Sequence, residues 1–297
     1  MSPRSPIWIV VCFAFLATEA SADSGELPGR WVEVRSEHFI VVSNARPKEV
    51  RKVATHLEQI RQVLTQAMPH FANTSGPPLL VFAPANERTM GRLLPLVWAE
   101  RDATRPAGLF ADSVDEPYVV LRADLVGGDD FGVVYHEYFH YLVAESGTAE
   151  LPTWLSEGLA DFWGGGSRLT RKEAQVGRAI TFRLRPLAEG IPIPLETLLT
   201  VDRSSEYYRN RYKAADFYVQ SWALTHLMMI GDGTGELKKI LGQYLNLISR
   251  GESSLEAAEE AFGDLDALER KLRAYVRRLT FSYFRLPVPP NHPRRVS

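Results

Sequence analysis

The sequence predicts an α+β fold: a small N-terminal sheet with a packed helix, a central helix pair, and a mainly helical C-terminal half. Short β-branched and aromatic runs bounded by turn residues fall before residue 122. One long amphipathic stripe lies among them, from Pro47 to about Met68. From residue 131 onward the apolar residues recur at helical spacing in six successive segments.

Residues 31–44, Trp-Val-Glu-Val-Arg-Ser-Glu-His-Phe-Ile-Val-Val-Ser-Asn, read as two strands around a polar turn. Pro47 suits the first turn of a helix, and Val50, Val53, Ala54, Leu57, Ile60, Val63 and Leu64 supply its apolar face. Leu79 to Phe82 is a short strand flanked by prolines, and 86–101 carry a helical pattern. Gly108 to Phe110 and Tyr118 to Leu121 fit two more strands joined by an acidic turn. Helices are expected over 131–146, 152–163, 213–230, 235–249, 253–262 and 264–284, with 164–200 irregular. Gly164-Gly165-Gly166 should end a helix and give a flexible connection.

Composition narrows the class. The chain has 297 residues, 45% of them hydrophobic, which is ordinary globular usage. Its 34 basic and 36 acidic residues leave no cationic excess to neutralise phosphates, so no nucleic-acid partner is expected. A single cysteine excludes a disulfide framework or a cysteine-based zinc finger; any metal must be held by His and carboxylates. Arg4, the apolar run Ile7 to Leu16 and Ala20-Ser21-Ala22 form the pattern of a cleaved secretory signal. Cleavage after Ala22 removes one base, one acid and Cys12, and leaves the net charge at −2. The run is too short to span a bilayer, so no stable membrane insertion is expected after cleavage. The expected organisation is a signal over 1–22, an α+β lobe over 23–165, a helical lobe over 166–284 and a disordered Pro-rich tail over 285–297.

The chemistry concentrates at Tyr135-His136-Glu137-Tyr138-Phe139-His140. In a helix, His136 and His140 lie one turn apart on one face, so both imidazoles can reach one ion. Glu137 then sits where a carboxylate can face water bound there. At this chain's His and Glu content, about 0.01 such matches arise by chance. A helix presenting two histidines to an ordinary surface remains the alternative. Glu157, on the next predicted helix, could complete the three-ligand set of a catalytic zinc. Asp161 follows one turn later, where a carboxylate could hold the free N–H of a ligating His. The apolar neighbours Trp154, Leu155, Leu159, Ala160, Phe162 and Trp163 mark that helix as buried, and buried carboxylates need partners.

His136-Glu137-x-x-His140 followed by Trp154-Leu155-Ser156-Glu157-Gly158-Leu159-Ala160 resembles the gluzincin metallopeptidases, and among them the secreted bacterial proteins called peptidase MA-like. The likeness extends to Trp31…Ser36-x-His38-Phe39 and to Tyr218-Val-Gln-Ser-Trp222-Ala-Leu. It implies one zinc ion on His136, His140 and Glu157, with Glu137 as general base and Asp161 behind the first His. It also implies a peptide or protein substrate, and an exported protein, periplasmic or extracellular. A further donor to the developing oxyanion is implied, for which Tyr218, then Tyr212, then His226 are candidates; a surface Tyr or a satisfied core His would look the same. Gluzincins bind extended substrates along a sheet edge, for which Tyr118 to Leu121 is the candidate, unless it is an inner strand. A metal-binding but idle scaffold, and a zinc hydrolase acting on another amide or ester, fit the same residues.

Overall fold

The computed structural model describes residues 29–69, 71, 76–95, 98, 108–111, 117–125, 131–147, 150–170 and 172–288. The predicted signal segment lies outside them. The described residues fall into two compact units, one holding those up to Gln62 and Ser75–Tyr138, the other Val63–Thr74 and Phe139–Val288.

The α+β prediction holds. In the first unit, β1 (Val32–Arg35) and β2 (Phe39–Ser43) form the expected antiparallel pair, Val34 opposite Val41. Helix α1 (Pro47–Ala67) crosses to β3 (Leu79–Phe82), which lies parallel to β2. Helix α2 (Glu87–Leu93) follows, capped by Asn86, whose side chain accepts the Thr89 amide. It stops at Leu93, and most of the remaining stretch predicted as helix to 101 lies outside the described residues. Strands β4 (Gly108–Ala111) and β5 (Tyr118–Leu121) complete a five-stranded sheet in the order β1-β2-β3-β5-β4. Thus Tyr118–Leu121, the candidate edge, is an inner strand, parallel to β3 and antiparallel to β4. Buried Val119, Val120 and Leu121 suit that position, and the end of the sheet falls to β4. Phe39, Val41, Val81 and Val119 on the sheet and Val50, Val53, Leu57 and Ile60 on α1 are buried, each contributing on the order of 1.5–3 kcal/mol.

Helix α3 (Gly132–Glu145) is one continuous element that contributes to both units. The second unit continues with α4 (Thr153–Ala160), which runs into a π-helical turn over Asp161–Gly165. The stretch expected to be irregular is ordered: β6 (Arg168–Leu169), β7 (Glu173–Val176), α5 (Leu184–Glu189) and α6 (Leu195–Thr200). The three glycines end the helix as expected, but Gly165 and Gly166 are tightly held rather than a flexible link. A Cβ on Gly166 would stand 2.6 Å from the Arg178 carbonyl oxygen. Then come α7 (Glu206–Arg209), α8 (Arg211–His226) with a second π turn over Leu227–Gly231, α9 (Glu236–Ser249), α10 (Ser254–Phe262) and α11 (Leu265–Val276). The helix predicted over 264–284 ends early, and Phe284–Pro287 forms β8 on β7. Part of the tail expected to be disordered is therefore a strand. It lies at the edge of the sheet β6-β7-β8 and ends on Pro287, where a missing N–H does no damage. Residues 289–297 lie outside the described set. No described helix is long and apolar enough to cross a membrane.

Candidate metal site

Helix α3 divides its faces by chemistry. Val134, Tyr135, Tyr138, Phe139 and Leu142 are buried, whereas His136, Glu137 and His140 share the less buried face. Packing fixes the helix along its length. Tyr138 meets Phe39 at 5.3 Å between rings, and the Tyr135 hydroxyl hydrogen-bonds the His56 Nδ1 at 3.0 Å. Phe139 meets Phe71 edge-on at 5.9 Å. Burial pushes the His56 imidazole down to about 4, with Lys52 adding to it, so His56 is a neutral acceptor for Tyr135. It is a support of the helix.

Helix α4 supplies the third group. Its apolar side, Trp154 and Leu155, is fully buried, and the Trp154 indole donates to the Tyr244 hydroxyl at 3.1 Å. Gly158 allows α4 to approach α8 closely: a Cβ there would stand 2.1 Å from Thr225 Oγ1 and 2.7 Å from the Ser221 carbonyl oxygen. This seats the preceding residue, Glu157, where it is only 3% exposed.

His136, His140 and Glu157 each offer one ligand atom, all within 4.8 Å of one another. The His140 Nε2 stands 3.4 Å from Glu157 Oε2. Donors bonded to a tetrahedral zinc at about 2.0–2.1 Å would be separated by about 3.3 Å, which the His140–Glu157 spacing matches. Two imidazole nitrogens and a carboxylate oxygen are also an apt donor set, with one position left for water or substrate. These three residues could hold a metal ion. On the other side of the His140 ring, Nδ1 lies 3.4 Å from Ser156 Oγ, which turns Nε2 towards Glu157.

Two residues that sequence reasoning missed complete the surroundings. The Tyr208 hydroxyl donates to Glu157 Oε1 at 3.0 Å. Burial, reinforced by the Glu157 charge, holds the Tyr208 phenol above its ordinary range, so it remains a donor. Helix α7 presents this side chain from a tight turn in which Asp202 Oδ1 accepts the Ser204 and Ser205 amides at 2.8 and 2.9 Å. Arg183, the other residue, pairs with Asp161: Nη1 lies 2.5 Å from Oδ2 and Nη2 donates to Oδ1 at 3.0 Å. Asp161 is 2% exposed, and this guanidinium supplies the opposite charge such burial requires.

The three candidate donors separate. Tyr218 has the Arg183 guanidinium 5.4 Å from its ring centroid, and its ring stands tilted to that of Tyr208 at 6.1 Å. His226 is fully buried, with Nε2 at 2.8 Å from the Gly177 carbonyl and Nδ1 at 2.7 Å from the Tyr275 hydroxyl, so it belongs to the core. The Tyr212 side chain lies outside the described residues.

Among proteins of curated function no match to the chain was found. Over residues 130–247, less than half its length, the chain is similar to a family described as "Protein of unknown function (DUF1570)". That stretch contains every residue of the His-His-Glu cluster and both tyrosines beside it.

Proposed function

We propose that this protein is an exported zinc-dependent hydrolase of gluzincin type, acting on peptide bonds. The observation that carries this is the convergence of His136, His140 and Glu157 with Glu137 on the same face of α3. Zinc held there supplies a Lewis acid for the scissile carbonyl and acidifies water.

The chain's own residues supply the rest. Glu137 accepts the proton of the attacking water and returns it to the leaving amine. Ser156 and Tyr208 orient the His140 ring and the Glu157 carboxylate. The end strand β4 favours a peptide over other amides. A Cβ on Gly108 would lie 3.8 Å from Glu137 Cγ, so β4 passes beside the general base. An extended peptide added to the outer edge of β4 would bring its carbonyls to that residue. Export rests on the signal pattern over 1–22.

The test compares wild type with Glu137→Gln on a broad peptide library. The variant should keep its metal and lose about 10²- to 10⁴-fold in turnover. Equal behaviour of the two proteins would overturn the proposal. Zinc-dependent cleavage confined to esters or cell-wall amides would replace peptidase by another hydrolase. Full metal loading without turnover on any substrate would leave a binding scaffold.

A further inference from the structure

The two oxygens of Glu157 face different groups. Oε2 points to the His140 Nε2, and Oε1 accepts the hydroxyl of Tyr208. Tyr208 is itself confined: its ring stands edge-on to Phe217 at 6.0 Å and tilted to Tyr218 at 6.1 Å. The Asp202 turn and the Ser205 cap, which accepts the Tyr207 amide at 3.2 Å, fix the short helix that carries Tyr208.

We infer that Tyr208 is a positioning residue that commits Glu157 to binding metal through Oε2 alone. The inference rests on the metal-site proposal above. A carboxylate can offer a metal one oxygen or two, and the second would occupy the position that water or substrate needs. A hydroxyl donating to Oε1 engages the lone pairs that two-oxygen binding would use and opposes rotation of the carboxylate about Cγ–Cδ. Tyr208 thereby keeps one coordination position open.

Tyr208→Phe removes the hydroxyl and keeps the ring. The full chain is loaded with zinc to measure affinity, and with cobalt(II) to read coordination by visible absorption. Wild type should give the intense bands of a four-coordinate ion. In Tyr208→Phe they should weaken towards a five-coordinate spectrum as Oε1 joins, with zinc affinity lower by about tenfold. A role only in packing would lower the melting temperature and leave the cobalt spectrum alone, and that result would overturn the inference. A five-coordinate spectrum in wild type would do the same. Wild-type protein that takes up neither metal would remove the underlying site as well, which sets that failure apart.

Discussion

His140 and His226 lie on helices of the same unit, and each stands beside a hydroxyl, yet the protein treats their rings in opposite ways. His226 Nε2 meets two backbone carbonyls, Gly177 at 2.8 Å and Ser282 at 3.0 Å, and its Nδ1 accepts from Tyr275. Its needs are met by neutral acceptors and donors. The His140 Nε2 instead faces a buried carboxylate, with His136 one turn away. The first arrangement is complete as a core; the second gathers acceptors around a point suited to a cation. Whether a buried histidine is structural or ligating depends on what its nitrogens face, and its neighbours in the sequence do not give that.

Substitutions should break the contrast in order of size. Removing a ligand, by His140→Ala or Glu157→Ala, should weaken metal binding by more than about 100-fold, beyond the loss typical of outer partners. His226→Leu should leave metal per chain unchanged, as read by elemental analysis. A second effect tests why α4 holds Glu157 where it does. Gly158→Ala forces a methyl into Thr225 and the Ser221 carbonyl, and should cost about 3 kcal/mol or more in chemical denaturation. His226→Leu should cost about 2–3 kcal/mol, because Tyr275 and the Gly177 carbonyl lose their partner.

The last prediction concerns pH. Burial pushes the His226 imidazole down to about 4, while in the unfolded chain it titrates near 6.5. Above pH 6.5 it is neutral in both states and contributes no pH dependence. As the pH falls from 6.5 to about 4, the unfolded chain takes up a proton that the folded chain refuses, and stability is lost. The loss approaches about 3 kcal/mol for this group. Denaturation midpoints between pH 7 and 4.5 should therefore fall less steeply in His226→Leu than in wild type. Equal slopes would show that another group carries the dependence.

Much of this was legible in the sequence because the relevant signals are local. His136 and His140 are one helical turn apart, and the apolar neighbours of Glu157 marked α4 as buried. Tyr208 was not legible. It lies in a polar four-residue helix with no periodicity, and its contact with Glu157 spans 51 residues. Arg183, 22 residues from Asp161, escaped for the same reason. Strand order was also hidden, because β-propensity favours Tyr118-Val-Val-Leu121 wherever it sits in the sheet. Only pairing on both sides makes β5 an inner strand and leaves β4 at the end. The prolines near the C-terminus argued against helix correctly, but said nothing against an edge strand at Phe284–Pro287.

Metal content separates a ligating His-His-Glu cluster from an ion-paired one. Protein purified from zinc-replete medium and dialysed should carry close to one zinc per chain by elemental analysis. That zinc should be absent from His136→Ala and Glu157→Ala and present in His226→Leu. Wild-type protein with no bound metal, or ligand variants that keep it, would contradict a metal centre at His136, His140 and Glu157.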